Sequence, residues 1–214
     1  MDNSYAARCV SRTLIRVHWD RLFEDLEGQL AAEWEAERAA LDAESERLRI
    51  SKLTLRTRLL LLQQNDAPVT VRLSGGEHHS GRLRAVGADW IAAQPVEGTS
   101  ALIAPMASVT GVETHHGALL DTLEDVTVAA DGLRERMTLG FLMRDFARRR
   151  VAVRVALTDG DVLHGTIDRA GQDHLDLAVH DAGEARLAGA VRAFRIVPFT
   201  TLRWLRTAGS AISA

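Results

Sequence analysis

The sequence predicts a mainly β chain of the α+β class: one long N-terminal helix, then two tandem copies of a unit in which a short helix and five strands curl into a small barrel. Three observations lead there. The segment from Val69 recurs from Val153, a proline-free stretch ahead of it carries apolar residues every seven positions, and the composition is that of an ordinary folded protein. Apolar residues make up 46% and charged residues 26% of the 214 positions, enough for one core or two small ones. In order, the expected segments are a loose tail over 1–17, an amphipathic helix over 18–52, a first unit over 53–113, a linker over 114–136, a second unit over 137–206 and a tail over 207–214.

From Trp19 to Gln64 there is no proline and one glycine, Gly28, so the stretch can be largely helical. Trp34, Leu41, Leu48, Leu55 and Leu62 recur every seven residues, and Leu22, Phe23, Leu26 and Leu30 extend the stripe upstream. That is half of a coiled-coil seam, since Arg38, Ser45 and Lys52 fall where a second apolar row would sit. Leu26, Leu30, Trp34, Leu41 and Leu48 are the residues expected to meet a partner helix, the alternative being a helix folded back on the rest of the chain. Its polar face, rich in Glu24, Asp25, Glu27, Glu33, Glu35 and Glu37, does not suit an anionic lipid surface.

The duplication runs without gaps at an offset of 84, pairing Val69 with Val153, Leu73 with Leu157, Gly76 with Gly160, Gly81 with Gly165, Gly87 with Gly171 and Asp89 with Asp173. It extends backwards to Thr54 and Thr138, Leu59 and Met143, Leu62 and Phe146, so each unit opens with a short amphipathic helix. Val69, Val71 and Leu73 then alternate with polar or small residues, as do Val153, Val155 and Leu157, the period of a half-buried strand. Gly75-Gly76 and Asp159-Gly160 supply hairpin turns whose central residues are expected at positive φ. Gly81 and Gly165 read as bends that let a short sheet curl. The remaining strands are expected at Trp90–Gln94, Ala101–Ala104 and Ser108–Val112, and at His174–Val179, Arg192–Val197 and Thr200–Leu205. Pro105 and Pro198 stand 93 apart, so the second unit has a longer loop, around His180 to Gly189. Residues 114–132 are small, acidic and aperiodic, as in a mobile linker.

The pattern L-x-x-G-x-x-x-x-G-x-[LI]-x-x-x-G-x-D after a short helix resembles the Sm-like family of small barrels, the Sm, LSm and Hfq type, over Leu53–Glu113 and Met137–Arg206. The resemblance implies a barrel, self-association through the fourth and fifth strands, and RNA binding. Ala93 and Leu177 stand where the family's base-reading asparagine would be, and Ala104-Pro105 and Val197-Pro198 replace its arginine-glycine pair.

Other chemistry has thin support. The formal net charge is −3, against the basic balance of a chain that wraps a phosphate backbone. Lys52 is the only lysine, a bias expected of a GC-rich bacterial genome. Arg144, Arg148, Arg149 and Arg150 nonetheless cluster at the end of the second short helix, and with Trp90 and His174 as stacking surfaces they are the candidate contacts for nucleic acid. The pairs His78-His79 and His115-His116 lack the spacing of a closed zinc site. Asp89 and Asp173 read as turn caps. No nucleophile elbow, phosphate loop or dinucleotide fingerprint occurs, and Cys9 is the only cysteine. No signal peptide is apparent, and the longest strongly apolar run, Leu59–Leu62, cannot span a bilayer. The expectation is a cytoplasmic, non-catalytic assembly or adaptor protein with a protein partner or its own copy, without cofactor, metal, small-molecule substrate or membrane span. The alternative is an RNA-binding post-transcriptional regulator.

Overall fold

The computed structural model describes the backbone of residues 5–207 except 97–99, 125–131, 133–135, 184–186 and 188, and side chains from residue 22 onward. The chain divides into two units, before and after the Leu53–Thr54 bond. The first is helix α1, Tyr5–Ser51, which begins well inside the segment expected to be a tail. The second holds α2 (Leu55–Gln64), β1 (Pro68–Leu73), β2 (His78–Val86), β3 (Trp90–Pro95), β4 (Leu102–Pro105), β5 (Val109–Glu113), α3 (His116–Asp121), α4 (Leu139–Arg149), β6 (Ala152–Leu157), β7 (Val162–Ala170), β8 (His174–Val179), β9 (Ala193–Pro198) and β10 (Leu202–Thr207). The heptad stripe is interrupted between α1 and α2 because Thr54 adopts extended backbone and its hydroxyl accepts from Thr57 N at 3.1 Å, starting a new helix. Thr138 does the same for α4, accepting from Phe141 N at 3.3 Å.

The two barrels expected from the Sm-like resemblance are not formed. All ten strands belong to one open antiparallel sheet in the order β5-β1-β2-β3-β4-β10-β6-β7-β8-β9. Within the first half β5 pairs with β1, while β4, only four residues long, pairs outward with β10. The repeat dictates where strands occur, but pairing depends on backbone edges meeting in space, which the side-chain pattern does not encode.

The halves nevertheless share one register. Gly81 faces Val69 and Gly165 faces Val153; Thr70 faces Glu113 and Arg154 faces Arg206; Ala92 faces Ile103 and Asp176 faces Ile196. Gly81 and Gly165 are required by close approach, not by φ: a Cβ would collide with the Gln94 carbonyl oxygen in one half and that of Ala178 in the other. The turns differ from expectation in one respect, as Gly75, Gly76 and Gly160 have positive φ but Asp159 does not.

Each half buries its own core, and each core borrows from the other half. Leu59, Leu62, Val69, Val71, Leu83 and Ile91 pack with Ala156 and Trp204, while Met143, Phe146, Val155, Ile167 and Leu175 pack with Trp90, Ala92 and Ile103. The expected linker contains α3, whose Ala118 is buried in the first core and beside which the Arg58 guanidinium donates to Thr122 Oγ1 at 2.9 Å.

Candidate interaction surfaces

On α1 the residues expected to meet a partner helix are all exposed, from Leu26 at 44% to Trp34 at 68%, with Leu30, Leu41 and Leu48 between. At about 100° per residue they fall within roughly a quarter of the helix circumference, and they extend for about 33 Å. Trp34 and Leu41 share a shallow groove with Glu37 and Arg38.

The two edges of the sheet are β5 and β9. On β9, Phe194 and Ile196 are exposed, while Arg195 between them is ion-paired to Asp161 at 2.6 Å and Asp159 at 3.1 Å. On β5, Glu113 pairs with Arg72 at 2.5 Å, which holds its carboxyl below the usual range, and just past the strand Thr114 Oγ1 donates to the Pro68 carbonyl at 2.9 Å.

Where the halves join, backbone and side chains interlock. Asp89 Oδ1 accepts from Leu139 N at 2.7 Å and so caps α4, and the Met137 carbonyl accepts from Ala88 N at 3.0 Å and from Trp90 Nε1 at 2.9 Å. Asp89 is thus a cap, but for a helix of the other half. Its counterpart Asp173 is exposed and instead accepts from His174 Nδ1 at 2.8 Å, which holds the Asp173 carboxyl down.

Of the residues expected to contact nucleic acid, the four arginines lie along α4 and at its end, and Trp90 is set apart from them in the core. Trp90 is 3% exposed, so its ring offers no stacking face. Arg148 and Arg149 both bind Asp145, at 2.5 and 3.4 Å, and the Arg148 bond leads the causes that hold the Asp145 carboxyl down. Arg150 binds Asp168 at 2.7 Å. Arg144 donates to the Gly171 carbonyl at 3.2 Å, close to His174, whose ring lies where a Cβ on Gly171 would be. Of the histidine pairs, His115 caps α3 by accepting from Ala118 N at 3.1 Å. Among the described residues no group of three or more His, Cys, Asp or Glu is placed to hold a metal ion, and no helix is long and apolar enough to cross a membrane.

Sequence reasoning missed a polar cluster at the junction of the halves. Glu77 accepts from Trp204 Nε1 and binds Arg203 at 3.0 Å; Arg206 donates to His79 Nδ1 at 3.1 Å; the guanidinium groups of Arg154 and Arg206 lie 5.5 and 5.3 Å from the Trp204 ring centre. Burial, then the Arg206 charge, push the His79 pKa down. Glu77 and Trp204 are 127 residues apart, beyond any local pattern. One signal was present: Trp204 is a large aromatic where the repeat has Gly111.

No protein-family model, curated protein or solved structure matches this chain, so nothing in those comparisons supports the Sm-like resemblance.

Proposed function

We propose that this protein is a non-catalytic assembly protein that joins polypeptides through the edges of its sheet and the stripe of α1. The observation that carries the reading is the contrast between Ile103 and Ile196. Both face the third strand of their half at the same register position, yet Ile103, covered by Leu205 of β10, is 1% exposed and Ile196 is 71% exposed. The strand that would cover Ile196 in the same way is the counterpart of β10, namely β5, whose Val112 stands where Leu205 does.

A second copy adding its β5 to β9 would repeat the junction already present inside the chain. Ile196 would meet Val112, Arg195 would meet Glu113 with opposite charge, and the exposed Asp173 would be offered to the start of α2 as Asp89 is to α4. Such a contact is head-to-tail, so it closes into a ring or continues as a filament. The α1 stripe supplies a second contact of the helix-pairing kind.

Light scattering on the full chain tests this. The expected result is a multiple of the 23.4 kDa chain mass, reduced by Phe194→Asp with Ile196→Asp, or by Trp34→Glu with Leu41→Glu, at unchanged circular dichroism. A wild-type mass of one chain at all concentrations overturns the reading. The alternative, an RNA-binding regulator, has less support, because Trp90 is buried and Arg148, Arg149 and Arg150 already hold carboxylates.

A further inference from the structure

Cross-strand neighbours on one face of a sheet lie side by side, and like charges placed opposite each other are unfavourable. On the second half, Arg206 of β10 faces Arg154 of β6, Arg154 faces His164 of β7, and His180 continues the row by donating its backbone N–H to the His164 carbonyl at 3.1 Å. The same register positions in the first half are Glu113, Thr70, Ser80 and Val96, where Thr70 and Ser80 share a hydroxyl hydrogen bond of 2.8 Å and Glu113 is held by Arg72. One repeat therefore carries a neutral or paired row, and the other two arginines and two imidazoles.

All four side chains line one cavity of about 270 Å³, together with Ser100, Asp181 and Thr207. Among the described residues neither Arg154 nor Arg206 has a carboxylate within ion-pair distance, and Arg206 Nε is buried without a hydrogen-bond partner. The nearby acids are committed elsewhere: Asp181 binds Arg192, and Glu77 takes both Arg203 and the Trp204 indole. Among the described residues, three arginines against one glutamate leave two uncompensated positive charges at the junction. His180 is fixed as part of the wall, bonded to Thr166 Oγ1 at 2.9 Å and to the Asp181 carbonyl at 3.0 Å.

We propose that this cavity binds a phosphate group, with Arg154 and Arg206 as its principal ligands and His164 beside them. Two guanidinium forks suit the oxygens of a tetrahedral dianion, and a phosphate monoester carries about −1.5 to −2 at neutral pH, which matches the excess. The shared chemistry is the phosphate; its source is either a small phosphate monoester, whose charge matches the excess by itself, or the backbone of a nucleic-acid strand, whose diesters carry one negative charge each, so that two of them would be needed.

Inorganic phosphate is the first probe, titrated into the full chain by calorimetry and by thermal unfolding, with sodium chloride at equal ionic strength as the control. Phosphate is expected to bind saturably and to raise Tm where chloride does not. Arg154→Gln with Arg206→Gln should weaken phosphate binding at least tenfold, whereas Arg148→Gln with Arg149→Gln should leave it unchanged. Because Arg206 is partly buried and bonded to His79, Arg154→Gln alone, at an exposed position, provides the variant whose folding is safe, and it should lose most of the effect. Phosphate acting no differently from chloride, or acting equally on the double variant, overturns the proposal. Glycerol phosphate and a short single-stranded RNA then separate the sources: RNA binding at least a hundredfold tighter, and lost with the same arginines, assigns the strand, and equal or weaker binding assigns the small ester.

Discussion

β4 and β9 hold the same place in the two halves of the sheet, beside the third strand and with matching register, but β4 is roofed by β10 and β9 is bare. The cost of the same substitution should therefore differ between them. Ile103→Asp places an unpaired carboxylate in a sealed core and should cost about 4 kcal/mol or more, enough to unfold the chain. Ile196→Asp alters an exposed side chain and should change the stability of the dissociated chain by no more than about 0.5 kcal/mol while lowering the assembled mass. Chemical denaturation of both variants measures the contrast. Equal losses would mean that the edge at β9 is covered in the free chain and that the two strands are not alternatives.

The helix caps extend the comparison. Asp89 accepts from Leu139 N, so Asp89→Ala should cost about 1 kcal/mol by leaving the first turn of α4 short of an acceptor. Asp173→Ala should leave the stability of the single chain unchanged, because its carboxylate is exposed and caps no helix. If Asp173→Ala instead lowers the assembled mass, the cap is being used between copies.

What the sequence made legible was local. The short helix that opens each unit, the paired glycines at Gly81 and Gly165, and the ten strands could be read because each depends on neighbours within about a dozen residues, whereas the break between α1 and α2 at Thr54 was not. The closed barrels were misjudged because closure depends on whether β4 meets β5 or β10, and hydrophobic alternation is the same in either case. The candidate contacts for nucleic acid are partnered in ways the sequence does not display, for a related reason. Arg148, Arg149 and Arg150 look like a basic patch along the chain, but Asp145 on the preceding turn pairs with the first two and Asp168 from β7 with the third, which leaves one net positive charge. The basic row that does form, Arg206, Arg154 and His164, draws one residue from each of three strands and has no contiguous signature.

The junction also makes one histidine pH-sensitive. His79 of β2 is half-buried against Arg206, and burial followed by that charge lowers its pKa below the ordinary 6.5, whereas its counterpart is Leu163. The unfolded chain then binds more protons than the folded one near and below pH 6.5, so stability is present at neutral pH and falls on acidification through that range. His79→Gln, which keeps an acceptor for Arg206, should flatten the decline of Tm between neutral and mildly acid pH. Parallel slopes for the two proteins would remove His79 from the account.

The smallest effect tests the repeat most sharply. Both short helices are followed by a residue at positive φ without being glycine, Asp66 after α2 and Arg150 after α4, at the same repeat position. Asp66 binds Arg84 at 3.1 Å, and Arg150 binds Asp168 at 2.7 Å, so one ion pair occurs in both halves with its charges exchanged. If the two sites are equivalent, polarity there is arbitrary and only complementarity matters. Arg150→Asp alone should cost a few tenths to about 1 kcal/mol, by losing an exposed pair and setting like charges together. Adding Asp168→Arg should restore most of that loss, since it recreates the Asp66–Arg84 pair of the first half, though not the second pair that Asp66 makes with Arg82, whose counterpart is Thr166. The restoration should shrink in high salt, which screens exposed pairs. A double variant no better than Arg150→Asp would show that the left-handed position itself, and not the pair, distinguishes the halves.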